Sequence, residues 1–160
     1  MNCVKLIAPI ILMALICSAN VAHPEAPAGW KTILDSAGQC KMSVPPDWNV
    51  DRNLQGHMNA PGWGGATILT PSKGSTVSPM DQNEQSMLGV GKMFENTKQR
   101  LFYAGKPTSA SPPTLSYHVE VAIEGGSCVA QIDVRAAFPE SEIKAIAASV
   151  AAAKQGGPQR

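Results

Sequence analysis

The sequence predicts an α+β domain, an antiparallel sheet packed by two amphipathic helices in the order ββ-β-α-ββ-α. Three observations carry this. Leu115–Arg135 alternates apolar and polar residues on both sides of Gly125-Gly126, the signature of a β-hairpin. Met80, Met87, Phe94 and Leu101 recur seven apart with Val90 between them, one apolar stripe at helical spacing. Ile143, Ile146, Ala147 and Val150 make a second, narrower stripe after Pro139.

The hairpin is the element around which the rest is built. A two-residue turn at Gly125-Gly126 pairs Glu124 with Ser127. It sets Ile123 opposite Cys128, Val121 opposite Ala130, Val119 opposite Ile132 and Tyr117 opposite Val134, all apolar and all on one face. The other face carries His118 opposite Asp133, Glu120 opposite Gln131 and Ser116 opposite Arg135. A slip of one residue would turn the apolar set to the wrong side, so the faces are specified.

Residues 1–22 read as a secretory signal peptide: Lys5 is their one charge, Leu6–Cys17 is almost unbroken apolar sequence, and small residues follow. The apolar run is shorter than the roughly 20 residues a membrane span requires. Cleavage after Ala19, Ala22 or Ala28 fits equally. Residues 23–29 are then a Pro/Ala linker, 30–153 a single α+β domain and 154–160 a disordered tail.

Within the domain, Trp30–Asp35 and Gln39–Val44 are strands around a Ser-Ala-Gly turn, and Pro45-Pro46 ends the second. Residues 49–65 are irregular, rich in Asn and Gly. Ala66–Thr70 is a third strand stopped by Pro71. Ser78-Pro79-Met80-Asp81 supplies a helix start with a cap, a first-turn proline and an acid. Gly89 and Gly91 weaken the middle of that helix, and Gly105 and Pro107 end it.

Export changes how the cysteines are read. Cys3 and Cys17 leave with the leader, while Cys40 and Cys128 share the inward parity of Met42 and Val44 and of Ala130 and Ile132. In an oxidising compartment a bridge between them is the natural inference, with two buried thiols as the alternative. Closing a loop across 88 positions would stabilise the fold by roughly 4–5 kcal/mol in the chain-entropy model.

The 160 residues carry 13 Lys and Arg against 12 Asp and Glu, and Lys5 supplies the excess. A neutral mature chain lacks the electrostatic footprint of a nucleic-acid binder. It has no basic run to hold an anionic membrane, and no stable membrane insertion is expected after cleavage.

Cys40–Trp48 (Cys-Lys-Met-Ser-Val-Pro-Pro-Asp-Trp) resembles the strand, Val-Pro and Trp that open PsbP-like and DcrB-like envelope domains. Ile146-Ala147-Ala148-Ser149-Val150 resembles their closing helix, so the resemblance spans about 30–153. It implies a sheet flanked by helices and mostly non-enzymatic roles: photosystem assembly factors, a Ran-binding release factor, and envelope proteins with adaptor or chaperone-like functions. The two cysteines and the Gly-rich stretch 56–65 depart from that pattern.

Sites of chemistry are few. Gly-x-Ser-x-Gly is absent, and Gly89-x-Gly91-Lys92 lacks the first Gly and the Ser/Thr of a phosphate loop. His118, Glu120 and Asp133 on one sheet face are the candidate ligands for a divalent metal, against a plain polar surface with one favourable cross-strand pair. If cleavage follows Ala22, His23 becomes the N-terminus and, with His57 or His118, a candidate copper chelate. Met80, Met87 and Met93 at helical spacing read as core packing. Trp63 in Gly62-Trp63-Gly64-Gly65, with His57 in the same stretch, is the candidate partner contact.

These residues predict a secreted or periplasmic, non-enzymatic binding or adaptor domain with an envelope protein as partner and no cofactor. A periplasmic metal-binding protein is the alternative, and an enzyme of unrecognised type a second one.

Overall fold

A computed structural model describes residues 26–71 and 73–153. The expected leader 1–22, His23 and the tail 154–160 lie outside the described residues. Among those described, ten strands and two short helices run in the order β1 (Lys31–Leu34), β2 (Cys40–Val44), β3 (Asn49–Val50), β4 (His57–Asn59), β5 (Gly65–Leu69), α1 (Gln82–Met87), β6 (Val90–Asn96), β7 (Arg100–Gly105), β8 (Thr114–Ile123), β9 (Gly126–Arg135), α2 (Glu140–Ser149) and β10 (Ala151–Ala152). Every ladder is antiparallel. One sheet has the order β1-β2-β10 and the other β3-β4-β5-β9-β8-β7-β6.

The fold is therefore mostly β, not an α+β sheet packed by two amphipathic helices. The correction lies in residues 78–105. Asp81 caps α1 in a capping box: its carboxylate accepts from Glu84 N at 2.9 Å, and Glu84 Oε2 accepts from Asp81 N at 2.9 Å. The helix then stops after six residues, because Gly89 takes φ +66°, a conformation glycine adopts without steric cost. The chain continues as the β6–β7 hairpin. Seven-residue spacing is odd, so on strands it sends successive members to opposite faces. Phe94 stacks on Phe102 at 4.4 Å on the core side, and Leu101 faces the other way, opposite Glu120. Met87 is 80% exposed and α1 buries no residue, so this stripe is not a core stripe.

Residues 49–65 also correct the expectation, since they hold β3 and β4. These strands are two and three residues long, and the Asp51 carboxylate shapes the loop between them by accepting from Asn53 N at 2.8 Å and Leu54 N at 3.2 Å.

The central hairpin is β8–β9, with its turn one residue earlier than expected. Ile123 pairs with Gly126, so Glu124 and Gly125 form the turn. Gly125 alone of the two has positive φ, +79°, and Gly126 joins the ladder. Moving the turn centre by one residue shifts every pairing by two and so keeps the faces. Tyr117, Val119, Val121, Cys128, Ala130, Ile132 and Val134 are all buried, and Ile123 is half-buried. The partners do change: Val121 opposes Cys128, His118 opposes Gln131, Asp133 opposes Ser116 and Glu120 opposes Val129.

The core lies between the inner face of the seven-stranded sheet and a second layer made of β2 and α2. From that layer Met42, Val44, Ile143, Ile146, Ala147 and Val150 are buried, joined by Trp48, which meets Phe138 edge-on at 5.9 Å. The helix α2 follows the expected stripe. Arg100 reaches from β7 to donate a hydrogen bond to Ala147 O near the C-terminal end of α2, an oxygen that also accepts from Val150 N at 3.1 Å. Cys40 and Cys128 are bonded, Cα atoms 5.6 Å apart, and tie β2 to β9.

Candidate functional site

The outer face of the seven-stranded sheet holds the polar half of each alternating strand. One row crosses six strands: His57, Thr67, Gln131, His118, Tyr103 and Met93, each opposite the next in the ladder. His57 Nδ1 and Thr67 Oγ1 are 2.6 Å apart. The His118 and Tyr103 rings stack at 5.1 Å with 27° between their planes. Burial lowers the His118 pKa from the usual histidine value, with Glu120 opposing it less strongly. Burial, then Glu120, raises that of Tyr103.

A neighbouring row runs Leu69, Val129, Glu120, Leu101 and Asn96. Ser127 Oγ donates to Glu120 Oε1 at 2.7 Å. Asp133 accepts from Ser116 Oγ and, at 2.9 Å, from Gln131 Nε2. The metal candidates are thus held by different partners: His118 by a ring stack, Glu120 by Ser127 and Asp133 by Ser116 and Gln131. His118 does not face Asp133, which corrects the expected pairing. Among the described residues no group of three His, Cys, Asp or Glu could hold a metal ion.

Residues 74–88 run over this face, bonded to β9 through Ser75 and Ser127 and to β6 through Met80 and Asn96, and Val77 of the segment and Leu101 of β7 are both buried. Asn96 anchors the crossing with two hydrogen bonds to Met80, accepting from its N at 2.8 Å and donating to its O at 2.9 Å. Beside α1 the crossing leaves a groove of about 360 Å³, lined by Met80, Glu84, Met87, Leu88, Leu101 and Glu120 among others. Leu88 also borders a smaller depression of about 200 Å³ with Tyr103, His118, Ser116 and Gln131. The two depressions meet at a side chain that is 58% exposed.

A third depression, about 570 Å³, lies between β1 and the 51–56 loop, and exposed Leu34, Val50 and Leu54 line it with His57. Trp63 sits on the turn joining β4 to β5 and is 46% exposed. The two partner-contact candidates therefore occupy different places: Trp63 is on an open turn, while His57 is tied to Thr67 on the sheet. Met87, Leu88 and Glu84 were not singled out as surface residues by sequence reasoning. The one signal for them was Gly89, which breaks the stripe to which Met87 was assigned.

No family model and no curated protein matches this chain. Among solved structures it is similar to a crystal structure from Bacteroides thetaiotaomicron VPI-5482, with 16% sequence identity and a TM-score of 0.56. The match covers 80% of this chain and 50% of that one, so this chain spans half the length of its structural neighbour. At this identity the likeness is one of fold.

Proposed function

We propose that this chain is a secreted or periplasmic, non-enzymatic binding or adaptor domain of the cell envelope, with the outer face of the seven-stranded sheet as its working surface. The observation that carries the reading is the open groove beside α1, where Met87 and Leu88 are 80% and 58% exposed. Large apolar side chains gathered on a surface are a feature of places where a partner covers them. The polar groups of the same face are paired with one another, as in His57–Thr67, Glu120–Ser127 and Asp133–Ser116, an arrangement suited to a fixed recognition surface.

The compartment is read from the disulfide. A bonded Cys40–Cys128 pair belongs to an oxidising environment, which export directed by residues 1–22 would provide. Among the described residues no helix is long and apolar enough to cross a membrane. The PsbP-like and DcrB-like resemblance of Cys40–Trp48 belongs to the same reading.

A tagged mature protein incubated with envelope extract tests it, beside a Met87→Asp/Leu88→Asp variant. Both side chains are solvent-exposed, so the fold should survive. At least one envelope protein should be enriched by the natural chain and lost with the variant. Identical capture by both, or none by either, would refute the assignment of the working surface.

A further inference from the structure

We propose that the groove beside α1 binds an amphipathic, positively charged segment of a partner polypeptide, an apolar face flanked by lysine or arginine. The inference rests on the binding reading above and adds the chemistry of what is bound. The apolar part of the argument comes from Met80, Met87, Leu88 and Leu101 in the groove lining. Unbranched, polarizable methionines fit aliphatic and aromatic side chains alike, so such a lining suits a peptide face better than one rigid small molecule.

The charge part is independent of this. Among the described residues, Glu84 and Glu120 are the charged ones lining the groove, and no lysine or arginine accompanies them. Glu84 stands on α1 and Glu120 on β8, so one carboxylate comes from the helix and one from the sheet. Each has an oxygen bonded within the fold, to Asp81 N and to Ser127 Oγ, which holds the two charges in place. In the adjoining depression burial and then Glu120 raise the pKa of Tyr103, and Glu120 opposes the larger lowering by burial at His118, so its charge is felt there. A purely apolar partner would cover these carboxylates without pairing them, at a desolvation cost, and an acidic one would be repelled. A basic flank beside an apolar face satisfies both halves.

Anisotropy titration of the mature protein with two labelled synthetic helices decides the question, one Leu/Lys and one Leu/Glu with the same apolar pattern. The Leu/Lys helix should bind about tenfold or more tightly than its acidic counterpart at low salt. Met87→Ser/Leu88→Ser should weaken it about tenfold or more. Glu84→Gln/Glu120→Gln should weaken it about three- to tenfold and flatten the salt dependence. Glutamine keeps both the capping-box contact and an acceptor for Ser127. Val50→Ser/Leu54→Ser, on the third depression, should leave binding unchanged.

Equal binding of the two helices, or equal binding by all variants, overturns the proposal. So does a dimer in sedimentation that the Leu/Lys helix does not dissociate, which would make a second copy the occupant. If neither helix binds while envelope capture still depends on Met87 and Leu88, the binding surface stands and the cationic ligand class falls.

Discussion

His118 is half-buried under the Tyr103 ring, and its ionisation is where a single residue links structure to solution conditions. Burial disfavours the imidazolium, so the folded pKa lies below the usual 6.5, with Glu120 pulling the other way less strongly. The unfolded chain then binds more protons than the folded one once the pH falls below about 6.5. Stability from this group is full above that value and is lost as the pH drops through the folded pKa. His118→Gln should therefore flatten the fall in melting temperature between about pH 7 and pH 5. Thermal unfolding of both proteins across that range checks it; parallel curves would mean that the ring is no less hydrated in the fold than in the open chain. The row to which His118 belongs was legible as a polar face from alternation alone. Its partner was not, because a two-position shift in pairing leaves alternation unchanged.

That shift belongs to the element scale and comes from one turn. Two consecutive glycines leave two turn placements open, and the fold takes the one in which Glu124 and Gly125 are central. The crossing segment favours it: Gly74 N donates to Gly125 O at 3.0 Å, and Ser127 N donates to Ser75 Oγ at 3.1 Å. Gly125→Ala should cost about 1–2 kcal/mol, since φ +79° is a left-handed conformation, whereas Gly126→Ala should cost less. Urea denaturation of the two variants measures the difference, and equal costs would argue for a turn at Gly125-Gly126. The helix expected over the Met80–Leu101 stripe fails for a related reason. Both faces of β7 are covered, Phe102 and Ala104 by the core and Leu101 by the crossing segment, so the strand shows no clean alternation.

At the scale of the whole molecule, the Cys40–Cys128 bond joins the small sheet to the large one. It closes a loop across 88 positions, which includes β3–β8 and α1, and so restricts much of the unfolded chain. Cys40→Ala/Cys128→Ala should cost about 2–5 kcal/mol. A matching drop in the urea midpoint of the natural protein on adding a thiol reductant would identify the lost bond as the cause. A reductant-insensitive midpoint, or two free thiols by mass mapping of the exported chain, would contradict the bond.

The amino-acid sequence by itself determined the faces of β8 and β9, the cysteine pair, the buried stripe of α2 and the strands β1, β2 and β5. The faces, the stripe and the strands depend on local periodicity, which travels with the chain. For the cysteines periodicity gave the inward parity of Cys40 and Cys128, and the bond between them needs the fold to bring positions 88 apart together. The tertiary structure decided the turn placement, the length of α1, the β6–β7 hairpin and the groove beside α1. Those depend on which segment covers which face. Residues 74–88 lie over the outer face of the seven-stranded sheet, where Leu101 is buried, and leave Met87 in water, and nothing in the spacing of those side chains states that the face will be covered from outside.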